Sequence, residues 1–360
     1  MIERDDLRAA VSAGIVTEAQ AVALLSLGQA RRGTRENLDP GDEPFELFKG
    51  FNEIFIIVGL SILAFGWIGV ISLWVASDPS NLKSIFLASS ISGGLLLWIL
   101  SEYFIRRRRM VAPAIALSIL FGANAAYGFA GAFAEVFMVA KGDNSSLPLP
   151  LSLATLSLAI YWMRFKVPFA LALIALGSFA LAILVAGLSS GTPQSTGELF
   201  LLSAGGPFAW ITLVLGAAVF IAAMAFDMSD PHRVTRRAAN GFWLHVIAAP
   251  ALVNTIALTL LEADALWTNL LLGVVLLLFA VVAIVIDRRS FLIAAIGYTV
   301  ILTGALFDTN GAALVVVSLG IFLLFLGARW EMIRAELVQL LPSRFPIDRL
   351  PPSFVKRPDS

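Results

Sequence analysis

The chain has 360 residues, of which 59% are hydrophobic and only 14% are charged. A soluble globular domain contains about 45–50% apolar and about 25% charged residues, so this composition excludes an ordinary soluble domain and predicts an integral membrane protein. The 25 basic residues balance the 25 acidic ones, and the chain has no cysteine and two histidines, so we expect no nucleic-acid partner, no cofactor and no thiolate or histidine-rich metal site.

Residues 1–50 are predicted to form a cytoplasmic helical hairpin followed by a charged linker. The first helix ends at Gly14, and Thr17 and Gln20 match a capping box, in which the Thr17 hydroxyl accepts from the Gln20 N–H and the Gln20 side chain reaches back. Two such short helices bury little area, so we expect the hairpin to dock on a protein partner or on the membrane surface. The alternative is a mobile tail with residual helicity. The charged start has no early apolar run, so no cleavable signal peptide is expected.

Residues 51–330 are predicted to form a transmembrane domain, an all-α polytopic helix bundle of about ten spans in contact with the lipid bilayer. A helix needs roughly 20 apolar residues to cross about 30 Å of hydrocarbon. The segments that reach or approach this length are 53–76, 84–105, 111–139, 149–163, 167–188, 203–226, 241–261, 266–286, 291–307 and 311–328. Residues 331–360 are predicted to add an amphipathic helix, which starts at Trp330 and runs to Leu341, and a proline-rich cytoplasmic tail.

Basic residues are concentrated in alternate connections, and this predicts the orientation. Cytoplasmic loops carry an excess of Lys and Arg. The connections after the second, fourth, sixth, eighth and tenth segments carry Arg106, Arg107, Arg108 and Arg109; Arg164 and Lys166; Arg233, Arg236 and Arg237; Arg288 and Arg289; and Arg329 and Arg334. The alternate connections carry only Lys83 and Lys141. We therefore expect both termini in the cytoplasm, 227–237 in a cytoplasmic connection, and these arginines to determine the topology. For the 106–109 run the alternative to a topology role is attraction of anionic lipid head groups.

Four polar residues in the spans are candidates for an ion or proton path. Asn124 and Glu135 lie on one face of the third segment, and Asp308 lies near the outer end of the ninth. Both acidic residues close similar stretches, GAFAE and GALFD, which either a duplicated hairpin or chance similarity between apolar helices would produce. His245 is the only histidine in a span, about 6 Å inside the cytoplasmic end, where it would bond to a neighbouring helix or be protonated in answer to Asp227. The alternative is interfacial placement for the acids and structural hydrogen bonds for Asn124 and His245.

Three stretches resemble a group of uncharacterised polytopic membrane proteins of proteobacteria: FDMSDPHRVTRRAANGFWLHVIAAPALVN at 226–254, KGFNEIF at the first span and LPSRFPIDRLPP near the C-terminus. The N-terminal stretch AGIVTEAQA is similar to the start of proteins grouped under domain of unknown function 2157. These resemblances imply a location in the bacterial inner membrane. Neither group has an established activity, so no catalytic residue is implied.

Two classes of function fit these observations. A small-molecule or ion transporter would use the polar faces of the third, seventh and ninth segments as its path. A non-catalytic scaffold or sensor would bind a partner through the N-terminal hairpin. A membrane enzyme is not expected, because the spans contain no paired-carboxylate motif, no Ser/His/Asp set and no HExxH motif. The oligomeric state is left open.

Overall fold

The computed structural model describes residues 10, 13–17, 20, 51–135, 138–141, 143–193, 195, 197–231, 236–263, 265–288, 296, 300, 309–342 and 346–351. Within these ranges the regular structure is helical, without a strand, so the predicted all-α polytopic fold is confirmed. The predicted capping box is also confirmed: the Thr17 N–H donates to Gln20 Oε1 over 3.0 Å, and the Gln20 N–H donates to Thr17 Oγ1 over 3.2 Å. The rest of the predicted hairpin lies outside the described residues.

The helices of ten residues or more are numbered α1 to α10. Their bounds are α1 Phe51–Ser77, α2 Leu82–Ser101, α3 Ala112–Phe133, α4 Pro148–Phe165, α5 Pro168–Ser190, α6 Phe208–Met228, α7 Arg236–Glu262, α8 Leu266–Val285, α9 Thr309–Ala328 and α10 Trp330–Gln339. A π-helical turn, Glu102–Arg107, prolongs α2. The largest differences from the predicted segments are that α3 ends earlier, α6 begins later and runs two residues further, and α7 begins five residues earlier. The predicted ninth segment is described only at Ile296 and Val300.

Length and apolarity allow seven of the described helices to cross a membrane, namely α1, α2, α3, α5, α6, α7 and α8. The number rises to eight if α9 and α10 count as one broken span. The part of α9 from Val316 meets α10 at 79°, with Arg329 at the break. This turn agrees with the expected interfacial helix from Trp330, because a chain that continued straight would not lie along the membrane surface. The count of about ten spans stays a prediction.

Two groups of helices share the described core. The first group, α1 to α5, packs around Leu117, Tyr161 and Phe165. In the second group α7 is the central helix, with α6 and α8 against it and Val253 and Leu272 buried between them. The helices α5 and α7 are in contact and join the two groups. Alanine is frequent at the buried positions of the second core, and small side chains there allow the helix backbones to approach closely.

Contacts between helix ends bring the basic connections together at one end of the bundle. Glu102, just after α2, pairs with Arg164 near the end of α4 over 2.7 Å. Asp227, in the last turn of α6, pairs with Arg288 just beyond α8. We call this end the basic end and the other the opposite end. The connections that alternate as basic in the sequence thus contain residues that pair at helix ends in the structure. The assignment of the basic end to the cytoplasm stays a prediction.

Candidate functional site

A carboxylate, a guanidinium and an imidazole meet at the basic end. Asp227 Oδ2 accepts from Arg288 Nε and from His245 Nε2, both over 2.9 Å, and Asp227 Oδ1 accepts from Arg288 Nη2 over 2.5 Å. Arg288 Nη2 also donates to the carbonyl of Ala238 over 3.0 Å. The exposed fraction is 0% for His245, 1% for Arg288 and 6% for Asp227. We call these three residues the basic-end cluster; it connects α6, α7 and the residue that follows α8.

Arg288 reaches the cluster because the chain reverses at the end of α8. Asp287 has a φ of 56°, in the left-handed region where many helices terminate. The Arg288 N–H then donates to the carbonyl of Ala283 over 2.8 Å, and the Asp287 N–H donates to that of Ile284 over 3.2 Å, the two bonds of a Schellman motif. Aspartate tolerates this conformation better than most residues with a side chain. The motif turns Arg288 towards the bundle, where its guanidinium contacts α6 and α7.

Gly241 allows the carboxylate of α6 to lie directly against α7. A Cβ atom at Gly241 would overlap Asp227 Oδ1 and would lie 3.2 Å from the carbonyl oxygen of Ala223. A carboxylate in the last turn of a helix is disfavoured by the partial negative charge of that helix end. Asp227 therefore depends on donors from outside α6, and the close approach at Gly241 lets α7 provide one of them, His245.

A second layer of buried polar contacts lies beside the cluster. Asp287 Oδ1 accepts from Trp330 Nε1 of α10 over 2.8 Å. One turn further along α10, Arg334 donates to the carbonyl of Pro351 and is 1% exposed. Arg288 belongs to the cluster, and its neighbour Asp287 contacts α10. The end of α8 therefore touches both. The C-terminal segment is thus connected through α10 to the buried charges.

Asn124, a predicted path residue, lies in the interface between α2 and α3. Its Nδ2 donates to the carbonyl of Ser90 over 2.8 Å, and Ser90 Oγ donates to the carbonyl of Asn124 over 3.0 Å. A Cβ atom at Gly93 would lie 2.8 Å from Asn124 Oδ1, and one at Gly128 would overlap the side chain of Ser90. The polar face of α3 is therefore filled by close packing against α2, which agrees with the structural alternative stated above.

Glu135 lies at the opposite end of the bundle, just after α3. It pairs with Lys141 over 3.3 Å, and the side chains are 55% and 61% exposed. Asp308, the fourth candidate, lies outside the described residues, as does the proposed repeat around it. The structure therefore brings none of Asn124, Glu135 and His245 together, because His245 is at the basic end. It brings His245 to Asp227, one of the partners considered for it.

The predicted topology residues have two different environments. Arg106, Arg107, Arg108 and Arg109 are exposed at the basic end, and Arg236 and Arg237 are exposed in the first turn of α7. Arg288 is instead buried in the cluster, and Arg289 lies outside the described residues. A role in topology stays a prediction for all of them. For Arg288 the structure adds a role in helix packing.

Comparison of the chain with protein-family models, with curated proteins and with solved structures found no match. The site is therefore interpreted from its own chemistry. Ionised Asp227 only accepts hydrogen bonds and the Arg288 guanidinium only donates them, while the imidazole of His245 can carry either one proton or two. The cluster can thus hold or release one proton, and its net charge changes when it does so. Within the described residues no group of three or more His, Cys, Asp and Glu is arranged to bind a metal ion.

The expectation that Asp227 belongs to a cytoplasmic connection is wrong, since α6 continues through Met228 and buries this side chain. A signal for its burial was present in the sequence. Gly216, Ala223 and Asp227 recur at intervals of seven and four residues and so share one face of α6. All three are buried. Small residues on that face indicate close packing against another helix, and Asp227 continues the same face.

Proposed function

We propose that the protein is a proton-coupled transporter of the bacterial inner membrane, in which the basic-end cluster closes the cytoplasmic end. One observation carries the proposal: Asp227, His245 and Arg288 are almost completely buried where three membrane helices meet. Ionisable side chains within membrane segments are costly and usually belong to ion or proton pathways. Well-packed apolar residues would often hold three helices together at least as stably.

The coupling step follows from the net charge of the cluster. The carboxylate of Asp227 and the guanidinium of Arg288 cancel, so the cluster is neutral while the imidazole of His245 is neutral. A proton on His245 leaves one uncompensated positive charge at a site with almost no solvent exposure. An uncompensated buried charge is costly, and entry of water removes the cost. We therefore expect protonation to separate α6 from α7 and the end of α8.

Other charged groups at this end modulate the same equilibrium. Asp230, Asp287 and Arg334 are 7%, 3% and 1% exposed, and Arg236 is exposed in the first turn of α7. Aspartate and arginine side chains ordinarily keep their charge near neutral pH. Histidine is the side-chain type whose unperturbed pKa lies between about pH 5 and 8, so His245 is the member of this set that we propose as the proton carrier.

Transport itself is tested with ligands found by a stability screen, because a molecule that binds the native state raises its apparent melting temperature. Stabilising ligands are then offered to proteoliposomes that carry an imposed proton gradient. Wild-type protein is expected to accumulate the ligand, and His245→Gln is expected to exchange it without accumulation. The matched control is His232→Gln, which changes the other histidine of the chain. Accumulation by His245→Gln equal to that of the control would contradict the proposal.

Opening of the basic end is tested without knowledge of the substrate. The natural chain lacks cysteine, so Ala238→Cys beside Arg288 and Ala170→Cys in the first core report on single sites, both 2% exposed or less. A membrane-impermeant thiol reagent is applied to inside-out vesicles at about pH 8 and about pH 5.5. Labelling rates are divided by those of exposed Ser229→Cys, which removes the effect of thiolate ionisation. We expect acid to expose only the cysteine at 238, and His245→Gln to abolish that response.

A membrane sensor or scaffold is the second candidate, favoured by the contacts of α10. Trp330 bonds to Asp287 beside the cluster, and Arg334 bonds to the C-terminal segment at Pro351. A partner that bound this segment would act on the cluster through α10. The uptake experiment separates the two candidates: a sensor would keep the acid-dependent exposure at 238 but accumulate none of its stabilising ligands.

A further inference from the structure

We infer that the surface at the ends of α2 and α4 binds the head group of an anionic phospholipid. This α2–α4 basic surface consists of Arg106, Arg107, Arg108, Arg109, Arg164 and Lys166, all of them exposed. Glu102 is the carboxylate that pairs with members of this set in the described structure, so positive charge is in large excess. The inference concerns a surface separate from the basic-end cluster and does not depend on the transport proposal.

Glu102 holds two of the arginines in fixed positions. It accepts from Arg164 Nε over 2.8 Å at one oxygen and from Arg106 Nη1 over 3.1 Å at the other. A guanidinium has five N–H donors, so most donors of both arginines remain available for phosphate oxygens. Because the pairing fixes the side chains before a ligand arrives, less conformational entropy is lost when a phosphate binds.

Two aromatic rings hold further cations beside this pair. The π-helical turn, closed by a bond from the Arg108 N–H to the carbonyl of Tyr103 over 3.0 Å, brings Arg108 over the ring of Tyr103 at 5.6 Å from its centroid. The Nζ of Lys166 lies 4.5 Å from the centroid of the Trp162 ring. Tyr and Trp are enriched at membrane interfaces, where head groups lie. The cations are thus held at the depth of the phosphates.

The apolar surface next to the cations identifies the ligand as a lipid. Ile99, Ile160 and Met163 precede the basic residues in α2 and α4 and are 65%, 48% and 55% exposed. Side chains of this kind on membrane helices face acyl chains. One molecule with a negative head group and acyl chains contacts both surfaces, whereas a free phosphate contacts only the cations. Basic groups on the cytoplasmic side of membrane helices are typical of such lipid sites.

The test is native mass spectrometry of the purified full-length protein, titrated with phosphatidylglycerol or with phosphatidylcholine. Wild-type protein is expected to retain phosphatidylglycerol preferentially. Arg164→Gln with Lys166→Gln is expected to weaken that binding by about 30-fold, from two lost charges near the membrane surface. Glu102→Gln removes the negative charge of this surface, which outweighs the lost ordering of the two arginines because exposed pairs order them only weakly. The variant is expected to strengthen binding by about fivefold. Misfolding would weaken binding in both variants, so opposite signs distinguish a site from damage.

Two controls make the outcome decisive. Arg329→Gln with Lys83→Gln removes the same charge from exposed positions elsewhere and is expected to leave phosphatidylglycerol binding unchanged. Glycerol phosphate at millimolar concentration is expected not to displace the lipid. The inference would be overturned by any of three results. The control pair could lose as much phosphatidylglycerol binding as the test pair, or Arg164→Gln with Lys166→Gln could leave binding unchanged. Glycerol phosphate could also displace the lipid. The last outcome would assign the surface to a soluble phosphate compound.

Discussion

One charged pair at each end of the bundle shows two opposite environments for charged residues. At the basic end, Asp227 and Arg288 are paired while almost fully buried. At the opposite end, Glu135 and Lys141 are paired with more than half of each side chain in solvent. Asp78 at that end bonds only to its near neighbours in the sequence among the described residues. The Glu135–Lys141 pair is solvated, and the Asp227–Arg288 pair joins distant parts of the chain in a buried site.

This difference indicates where a change of charge alters the structure. An exposed pair contributes little, because water replaces either partner at low cost. In a buried pair the loss of one partner leaves the other charged and unsolvated. Protonation, ligand binding or mutation should therefore affect the basic end strongly and the opposite end weakly. The five predictions below test this contrast in order of decreasing effect.

The largest effect is expected for Asp227→Asn. The substitution leaves the Arg288 guanidinium buried without its counter-charge, and breaking a buried pair in this way costs about 3–5 kcal/mol. The free energy of unfolding is measured by reversible unfolding in mixed micelles. Asp227→Leu combined with Arg288→Met removes both charges and should recover most of the loss. A double variant as unstable as Asp227→Asn would show that packing, rather than the uncompensated charge, sets the cost.

The next effect is expected for Gly241→Ala. The added methyl group would overlap Asp227 Oδ1 and force α6 and α7 apart, at a cost of about 1–3 kcal/mol. The matched control is Gly66→Ala in α1, where nothing lies within 4 Å of the new atom. That change should be neutral or stabilise by up to about 1 kcal/mol, because alanine favours the helix. Equal effects at both glycines would contradict the close approach of Asp227 to α7.

The helices were largely predictable from the sequence, because a span needs a long apolar run and such runs are visible directly. The predicted segment 53–76 is α1 to within two residues at each end, and the break before Trp330 was anticipated by the change from apolar to amphipathic pattern. Inside a membrane the backbone polar groups of a single segment must bond to one another, so a long apolar run has few alternatives to a helix. Local pattern and hydrocarbon thickness together therefore determine these elements.

The site was predictable only in part, because it depends on which helices touch. An interaction of His245 with Asp227 was one of the alternatives stated for this histidine, and their separation of 18 residues includes a single connection. Arg288 is 61 residues from Asp227, and its contact requires both the packing of α6, α7 and α8 and the turn at Asp287. From the sequence alone, charged residues at the ends of spans are assigned to solvated connections, because the helix packing that buries them is not visible. The packing of Asn124 against Ser90 was likewise not visible in the sequence, and its place in a path stays a prediction.

A smaller effect is expected for Glu53→Gln, which probes a buried carboxylate bonded to backbone groups. Glu53 in the first turn of α1 is 3% exposed and accepts from the Ala112 and Val111 N–H groups over 3.0 and 3.4 Å, which satisfies the start of α3. The amide keeps one acceptor oxygen, so the expected loss of unfolding free energy is about 1–2 kcal/mol. A loss as large as that of Asp227→Asn would mean that burial alone, and not the partner cation, sets the cost at this end.

A still smaller effect is expected for Glu135→Gln combined with Lys141→Gln. Both side chains are mostly exposed, and pairs of this kind contribute less than about 1 kcal/mol. Unfolding free energy and ligand uptake should both stay close to wild type. High salt should weaken the difference further, because exposed charges are screened. Loss of uptake in this variant would support a place for Glu135 in the transport path and would remove the contrast between the two pairs.

The smallest effect is expected at Asp78. The contribution of its carboxylate to the free energy of unfolding should change only in acid. Hydrogen bonds from the side chains of Asn81 and Ser80 hold the pKa of Asp78 below its ordinary value of 3.8. Because the folded-state pKa is the lower one, this stabilisation is present above the ordinary value and disappears as the pH falls through the folded-state pKa. The unfolding free energies of wild type and Asp78→Asn should therefore run parallel from about pH 5 to 8 and converge in acid. A changed slope in Asp78→Asn over that range would break the contrast, since it would place a titrating structural contact at the solvated end.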